Sequence, residues 1–247
     1  MQSSDGRQRE QREVELALAG QLAELRARNF RVPSGAIAVS AFQHRADCGV
    51  TFAAIRPAST GGLRIDIVDA GGLGRVGGLL ATQCGLELLA GDQAIDLIGL
   101  NRHFHEHPTG ESTMLAAATL EFESDSLIWT GSFAGLPAPI LVDDSGLVEI
   151  LLGSGPFLGL AETTFPIIRG LLHPGKRLFL VAGADAGNLV PALCERLPKT
   201  MHLPLDKLVE RLGRDLVADL EPGFGLLLLG IERKSDTRLP VEETPLE

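Results

Sequence analysis

Residues 114–153 carry two β-hairpins in succession, and that feature constrains the fold more than any other. MLAAATLEFESDSLIWTGSF reads as two strands joined at Glu123–Ser126. PAPILVDDSGLVEILLG reads as a second hairpin, turned at Asp143–Gly146, where Asp, Ser and Gly supply the turn chemistry. Hairpins join strands antiparallel, which separates this chain from the alternating parallel βαβ arrays. Further strands are expected at Ala36–Gln43, Gly49–Ile55, Leu63–Val68, Thr163–Arg169, Arg177–Val181 and Gly225–Ile231. Helices are expected at about 7–28, 75–89, 93–105, 191–197 and 205–220. Strands, two helices, a long β block, then helices and a last strand make an α+β protein with mostly antiparallel sheet.

The 7–28 segment places Val14, Leu18, Leu22 and Leu25 on one helical face. It reads either as a helix packed on its own domain or as a linker helix that pairs with a second subunit or couples to a regulator. The polar stretch after Lys234 reads as a loose tail. Aromatics are 4% of the 247 residues and Tyr is absent, so the core must be mostly aliphatic. A net charge of −10 argues against nucleic-acid binding, which needs clustered Lys and Arg. No apolar run is long enough for a membrane span, and the N-terminal residues do not resemble a signal peptide. Three scattered cysteines, Cys48, Cys84 and Cys194, fit buried thiols in a reducing, cytoplasmic setting.

Residues 63–83, LRIDIVDAGGLGRVGGLLATQ, admit two readings. Gly72-x-Gly74-x-x-Gly77 follows a strand and opens a helix, which is the local context of a dinucleotide-binding turn. The βαβ crossovers that such a fold requires are missing downstream, and no acidic residue stands at the end of a second strand. AGADAG at 182–187 is a weaker glycine-rich loop of the same kind. In the other reading, Asp69-Ala-Gly-Gly-Leu-Gly74 is a degenerate Asp-x-Ser-Gly-His-Gly box.

That second reading extends along most of the chain. EVELALAGQL, CGVTFAA, IDIVDAGGLGRVGGLLATQ, IDLIGLNRHFHE, LIWTGSFAGLPAPILVDDSG, GPFLGL and LLHPGKRLFLVAGADAG occur in the order of the corresponding family motifs. The chain resembles the SpoIIE/RsbU-like branch of the metal-dependent (PPM, type 2C) Ser/Thr protein phosphatases. The resemblance implies an α-β-β-α sandwich of two mostly antiparallel sheets flanked by helices. It also implies a linker helix over 1–30, the phosphatase-like domain over 31–235 and a tail over 236–247.

Members of this family hold two Mg²⁺ or Mn²⁺ ions with Asp carboxylates and use them to generate a hydroxide nucleophile. Here Asp69 is retained at the first metal position. The Asp of the Gly-Gly-Asp box is replaced by Val50, and that of Thr-Asp-Gly by Gly183. The Asp pair before the last strand falls at Pro222–Phe224, and both motif histidines have become leucine, at Leu73 and Leu136. Hard cations need oxygen ligands, so these replacements remove the donors. Asp47, Asp66 and Asp185 lie near the lost positions. Asp185, two residues past Gly183, could reach back toward the site, whereas Asp66 has the opposite strand parity to Asp69 and should face away. His103, His105 and His107 would share one face on a strand, and on a helix His103 and His107 would sit one turn apart; either arrangement could bind Zn²⁺ or Ni²⁺, or the three could simply end a solvated helix.

The expectation is a pseudophosphatase in bacterial signalling that needs no cofactor and binds a regulatory protein or phosphoprotein, with homodimerisation through the N-terminal helix as a further possibility. The alternatives are an active Mg²⁺- or Mn²⁺-dependent phosphatase using Asp69 and Asp185, and nucleotide binding at the 72–77 loop.

Overall fold

The computed structural model describes residues 37–44, 51–58, 61–70, 96–106, 115–124, 126, 128–183, 186–221 and 224–234. The segments expected as helices over 7–28 and 75–89, the 72–77 loop and the tail lie outside these residues.

Eleven strands are described: β1 (Ile37–His44), β2 (Thr51–Pro57), β3 (Leu63–Asp69), β4 (Ala116–Phe122), β5 (Ile128–Ala134), β6 (Ile140–Val142), β7 (Val148–Ile150), β8 (Ser154–Gly155), β9 (Ile167–Leu171), β10 (Arg177–Ala182) and β11 (Leu226–Arg233). The described helices are α1 (Leu97–Glu106), α2 (Ala186–Thr200) and α3 (Leu205–Val217). One sheet has the order β1-β11-β10-β6-β7. The other has the order β2-β3-β4-β5-β8, with β9 also paired to β5. Only the short β5–β8 pairing is parallel among the described strand pairs.

The layering follows from strand periodicity. Leu178, Leu180, Leu227, Leu229 and Ile231 point from the first sheet into an inner core. There they meet Ile65, Ile67, Leu120, Trp129 and Phe133 of the second. Phe179, Val181 and Leu228 alternate to the opposite face and pack with Leu193, Leu197, Leu208 and Leu212 of α2 and α3. Burial on both faces explains the unbroken apolar run at 226–229, where a half-exposed strand would alternate. On the outer face of the second sheet, Val68, Ala117 and Ala134 pack with Leu97 and Phe104 of α1. Two mostly antiparallel sheets, face to face between helices, are the expected α+β sandwich. No helix among the described residues is long and apolar enough to cross a membrane.

Some boundaries differ from expectation for identifiable reasons. The helix expected from residue 93 begins at Leu97, because Asp96 Oδ1 accepts the Ile98 amide hydrogen bond at 3.1 Å and caps it. The helix expected from Pro191 begins five residues earlier, at Ala186, so Pro191 is internal. Burial of Ala186 and Leu189 against the first sheet outweighs the hydrogen bond that Pro191 cannot donate. The strand expected over 163–169 runs from Ile167 to Leu171, set by its pairing with β5.

Candidate functional site

Three stretches of chain meet at Asp69, the last residue of β3. Leu63, Ile65 and Ile67 face the inner core, and Asp69 continues their parity to the strand end. Register sets Thr51, the first residue of β2, opposite it. The Thr51 hydroxyl donates to Asp69 Oδ1 at 2.8 Å. The amide of Gly183, one residue past β10 in the other sheet, donates to Oδ2 at 3.1 Å. Both bonds are buried, and Asp69 is 6% exposed. Gln43 of β1 adds a second link between the sheets, its Nε2 donating to the Thr51 carbonyl at 2.9 Å.

Gly183 sits in a conformation, φ +131°, that L side chains rarely adopt. A β-carbon there would lie 2.2 Å from the carbonyl oxygen of Gly225, at the approach to β11. Leu136 is buried in the inner core, and the β3–β4 and β4–β5 registers carry it to the same end of the sheet as Asp69. The segments that carry the degenerate motifs therefore converge. Val50, Leu73, Asp185, Pro222 and Gly223 themselves lie outside the described residues.

The described donor set does not fit a pair of hard divalent cations. Such ions take about six oxygen ligands each, several of them carboxylates. The described groups offer one carboxylate, with both oxygens already accepting protein hydrogen bonds, beside a glycine and a buried leucine. Among the described residues no cluster of three or more His, Cys, Asp or Glu side chains is placed to hold a metal.

Thr51 was not visible as a partner from sequence. The signal was present in the strand parity: once β2 and β3 pair as neighbours, residue 51 falls opposite residue 69.

Asp66 faces the outside of the second sheet, as its parity requires, and is fully buried. Its Oδ2 is paired with Arg56 Nη2 at 2.6 Å and Arg64 Nε at 3.2 Å, and its Oδ1 accepts from the Thr119 hydroxyl at 2.8 Å. Burial lowers the pKa of the Arg64 guanidinium, and the Asp66 charge raises it. This is a buried ion-pair cluster on the face of the sheet opposite to Asp69.

His103 and His105 lie in the last turn of α1, so the arrangement in which all three histidines share one face of a strand does not occur. Two residues apart on a helix, they point to different sides. The His103 ring meets Phe104 edge-on, with centroids 5.6 Å apart. His107 lies outside the described residues. Cys194 is half-buried on α2 against the outer core, and burial pushes its thiol pKa up. Peptide-resolved iodoacetamide labelling at pH 7.5 should therefore modify Cys194 several-fold more slowly than a free cysteine does. Labelling at the free rate would show that the helix does not shield it.

No protein-family model matches the sequence, and no curated protein does. Solved structures do. The RsbU and RsbW domains of Rv1364c from Mycobacterium tuberculosis align with a TM-score of 0.67 at 18% identity, over 82% of this chain and 62% of that one. This chain thus spans less than two thirds of that longer protein chain. The SiaA-PP2C domain of Pseudomonas aeruginosa aligns with a TM-score of 0.64 at 16% identity, over 91% of this chain and 98% of that one.

The chain has the PP2C (PPM) phosphatase fold.

RsbX in complex with magnesium shares it, with a TM-score of 0.58 at 15% identity, over 79% of this chain and 94% of that one. On the PP2C fold, β3 lies between two antiparallel neighbours, β2 and β4. The strand before the 72–77 glycine loop is therefore not in the parallel βαβ setting that a dinucleotide-binding turn uses.

Proposed function

We propose that this protein is a SpoIIE/RsbU-like PP2C-fold signalling protein that has lost metal-dependent phosphatase chemistry and acts by binding. The observation that carries this reading is Gly183. It stands at the Thr-Asp-Gly position of the family resemblance, and the Gly225 carbonyl fills the space a ligand side chain would need. With Leu136 buried where a motif histidine is expected, the site offers apolar and backbone surface where the chemistry needs oxygen donors. The partner is a cytoplasmic regulatory protein or phosphoprotein of a bacterial signalling system, with residues 7–28 offering an apolar stripe for pairing.

The competing reading is an active Mg²⁺- or Mn²⁺-dependent phosphatase, in which Asp69 and Asp185 would hold the metal. It draws support from the retained Asp69 and from the magnesium in the RsbX structure. Calorimetric titration with Mn²⁺, run alongside phosphopeptide turnover, separates the two. We expect no stoichiometric Mn²⁺ binding and no turnover above background. Stoichiometric binding, with turnover that disappears in Asp69→Ala, would establish the phosphatase instead.

A further inference from the structure

We infer that Asp69 is a tie between the two sheets, holding by hydrogen bonds the end of the sandwich where a metal pair would otherwise sit. The inference rests on the pseudophosphatase reading and assigns that reading's one retained acidic residue a different role.

Three observations carry it. The Asp69 carboxylate has a donor on each oxygen, one from its own sheet and one from the other. The two donors lie 18 and 114 residues away in sequence, so the pair closes a long loop of chain. The Gly183 amide is placed by β10, whose last residue, Ala182, pairs with Leu227 of β11. The tie is therefore anchored in regular ladder on both sides, because Thr51 and Asp69 are themselves a register pair of β2 and β3. Gln43 extends it to β1, which returns to the first sheet.

The two hydrogen bonds fix the carboxylate between the sheets whether or not a cation is near, and among the described residues no cluster of three or more His, Cys, Asp or Glu side chains is there to share one. The glycine at 183 is what makes the tie possible. Only a residue without a β-carbon lets the backbone at 183 lie against Gly225 while its N–H points at Asp69. In this geometry the bare backbone at 183 and the bond from its amide to Asp69 go together.

The test uses the full chain, melted in EDTA and again in excess Mn²⁺, with hydrogen exchange read at the Gly183 amide. Asp69→Ala should melt roughly 5–15 °C lower, since two buried hydrogen bonds to a charged acceptor are lost. The drop should be the same with and without Mn²⁺, and the Gly183 amide should exchange at least tenfold faster. Should Asp69→Ala fail to fold, Thr51→Val and Asp69→Asn give the same reading in smaller steps. Thr51→Val keeps the Gly183 bond and its slow exchange. Asp69→Asn keeps an acceptor for the Thr51 hydroxyl and sets an amide group against the 183 N–H.

A wild-type melt raised by Mn²⁺, with the rise abolished by Asp69→Ala, would overturn both the tie and the pseudophosphatase reading. An Asp69→Ala protein as stable as wild type, or one with unchanged Gly183 exchange, would overturn the tie alone, because neither result depends on metal or turnover.

Discussion

Gly183→Asp, which would place a carboxylate at the position where the phosphatase resemblance expects one, should destabilise the protein by about 2–6 kcal/mol and bring no affinity for Mn²⁺. The estimate combines backbone strain at φ +131°, about 1–3 kcal/mol, with overpacking of a filled site, about 1–3 kcal/mol. The atoms in the way are all backbone. They are the Gly225 oxygen at 2.2 Å, the Gly225 carbonyl carbon at 3.1 Å and the Leu226 Cα at 3.3 Å from the β-carbon position. They lead directly into β11, the central partner of β10 and β1. Relief would mean opening that ladder, whereas a flexible side chain would simply rotate away. Gly187→Asp is the matched control. Its β-carbon meets nothing within 4 Å, and it lies in the first turn of α2, where a negative charge is favoured. Urea midpoints compared at equal m-value measure both effects. A Gly183→Asp protein with wild-type stability and a stoichiometric Mn²⁺ isotherm would mean that the Gly225 strand yields readily and that the site is one substitution from function.

Asp66→Ala should cost about 3–5 kcal/mol, with no change in any metal response. The side chains of Asp66 and Arg64 are 0% and 2% exposed, and Arg56 contacts Asp66 from the neighbouring strand. Removing the carboxylate leaves the Arg64 guanidinium buried without its nearest counter-charge, while the Thr119 hydroxyl loses its acceptor. Such an orphaned charge is far more costly than the loss of an exposed pair, such as Lys199 with Glu195. Replacing Arg56, Arg64 and Asp66 together by apolar residues of similar size should recover much of the loss. Chemical denaturation of the single and triple variants checks this. A triple variant no better than Asp66→Ala would show that the cluster contributes through packing alone.

The β-hairpins are the part of this fold most legible in the sequence, because their determinants are local. At 140–150, Asp143 Oδ1 accepts from the Ser145 amide at 2.9 Å, the Ser145 hydroxyl at 2.6 Å and the Leu147 amide at 3.0 Å. Gly146 supplies the positive φ that the turn needs. All of the turn's chemistry lies within five residues. These hydrogen bonds, led by that from the Ser145 hydroxyl, hold the Asp143 carboxyl below its ordinary pKa. Their contribution is therefore complete above the unfolded-state pKa and is lost as the pH falls through the lower folded value. The run 226–229 was equally legible, since four consecutive leucines leave little choice but a strand buried on both faces. The start of α2 was not, because a proline inside a helix runs against local propensity and is tolerated only for the burial of residues around it.

The site divides along the same line. The sequence by itself determined the parity that points Asp69 inward and Asp66 outward, the antiparallel character of the sheets and the presence of glycine at 183 and leucine at 136. Each of these is a property of residue type and strand period. Tertiary structure alone decided which groups the Asp69 carboxylate meets. The bond from Gly183 to Asp69 spans 114 residues and two sheets, and its donor is a backbone amide that every residue except proline possesses. A backbone donor leaves no mark of its partner in the sequence. It exists because the β10–β11 ladder brings a glycine, with no side chain to hold it away, to the end of the sandwich where Asp69 lies.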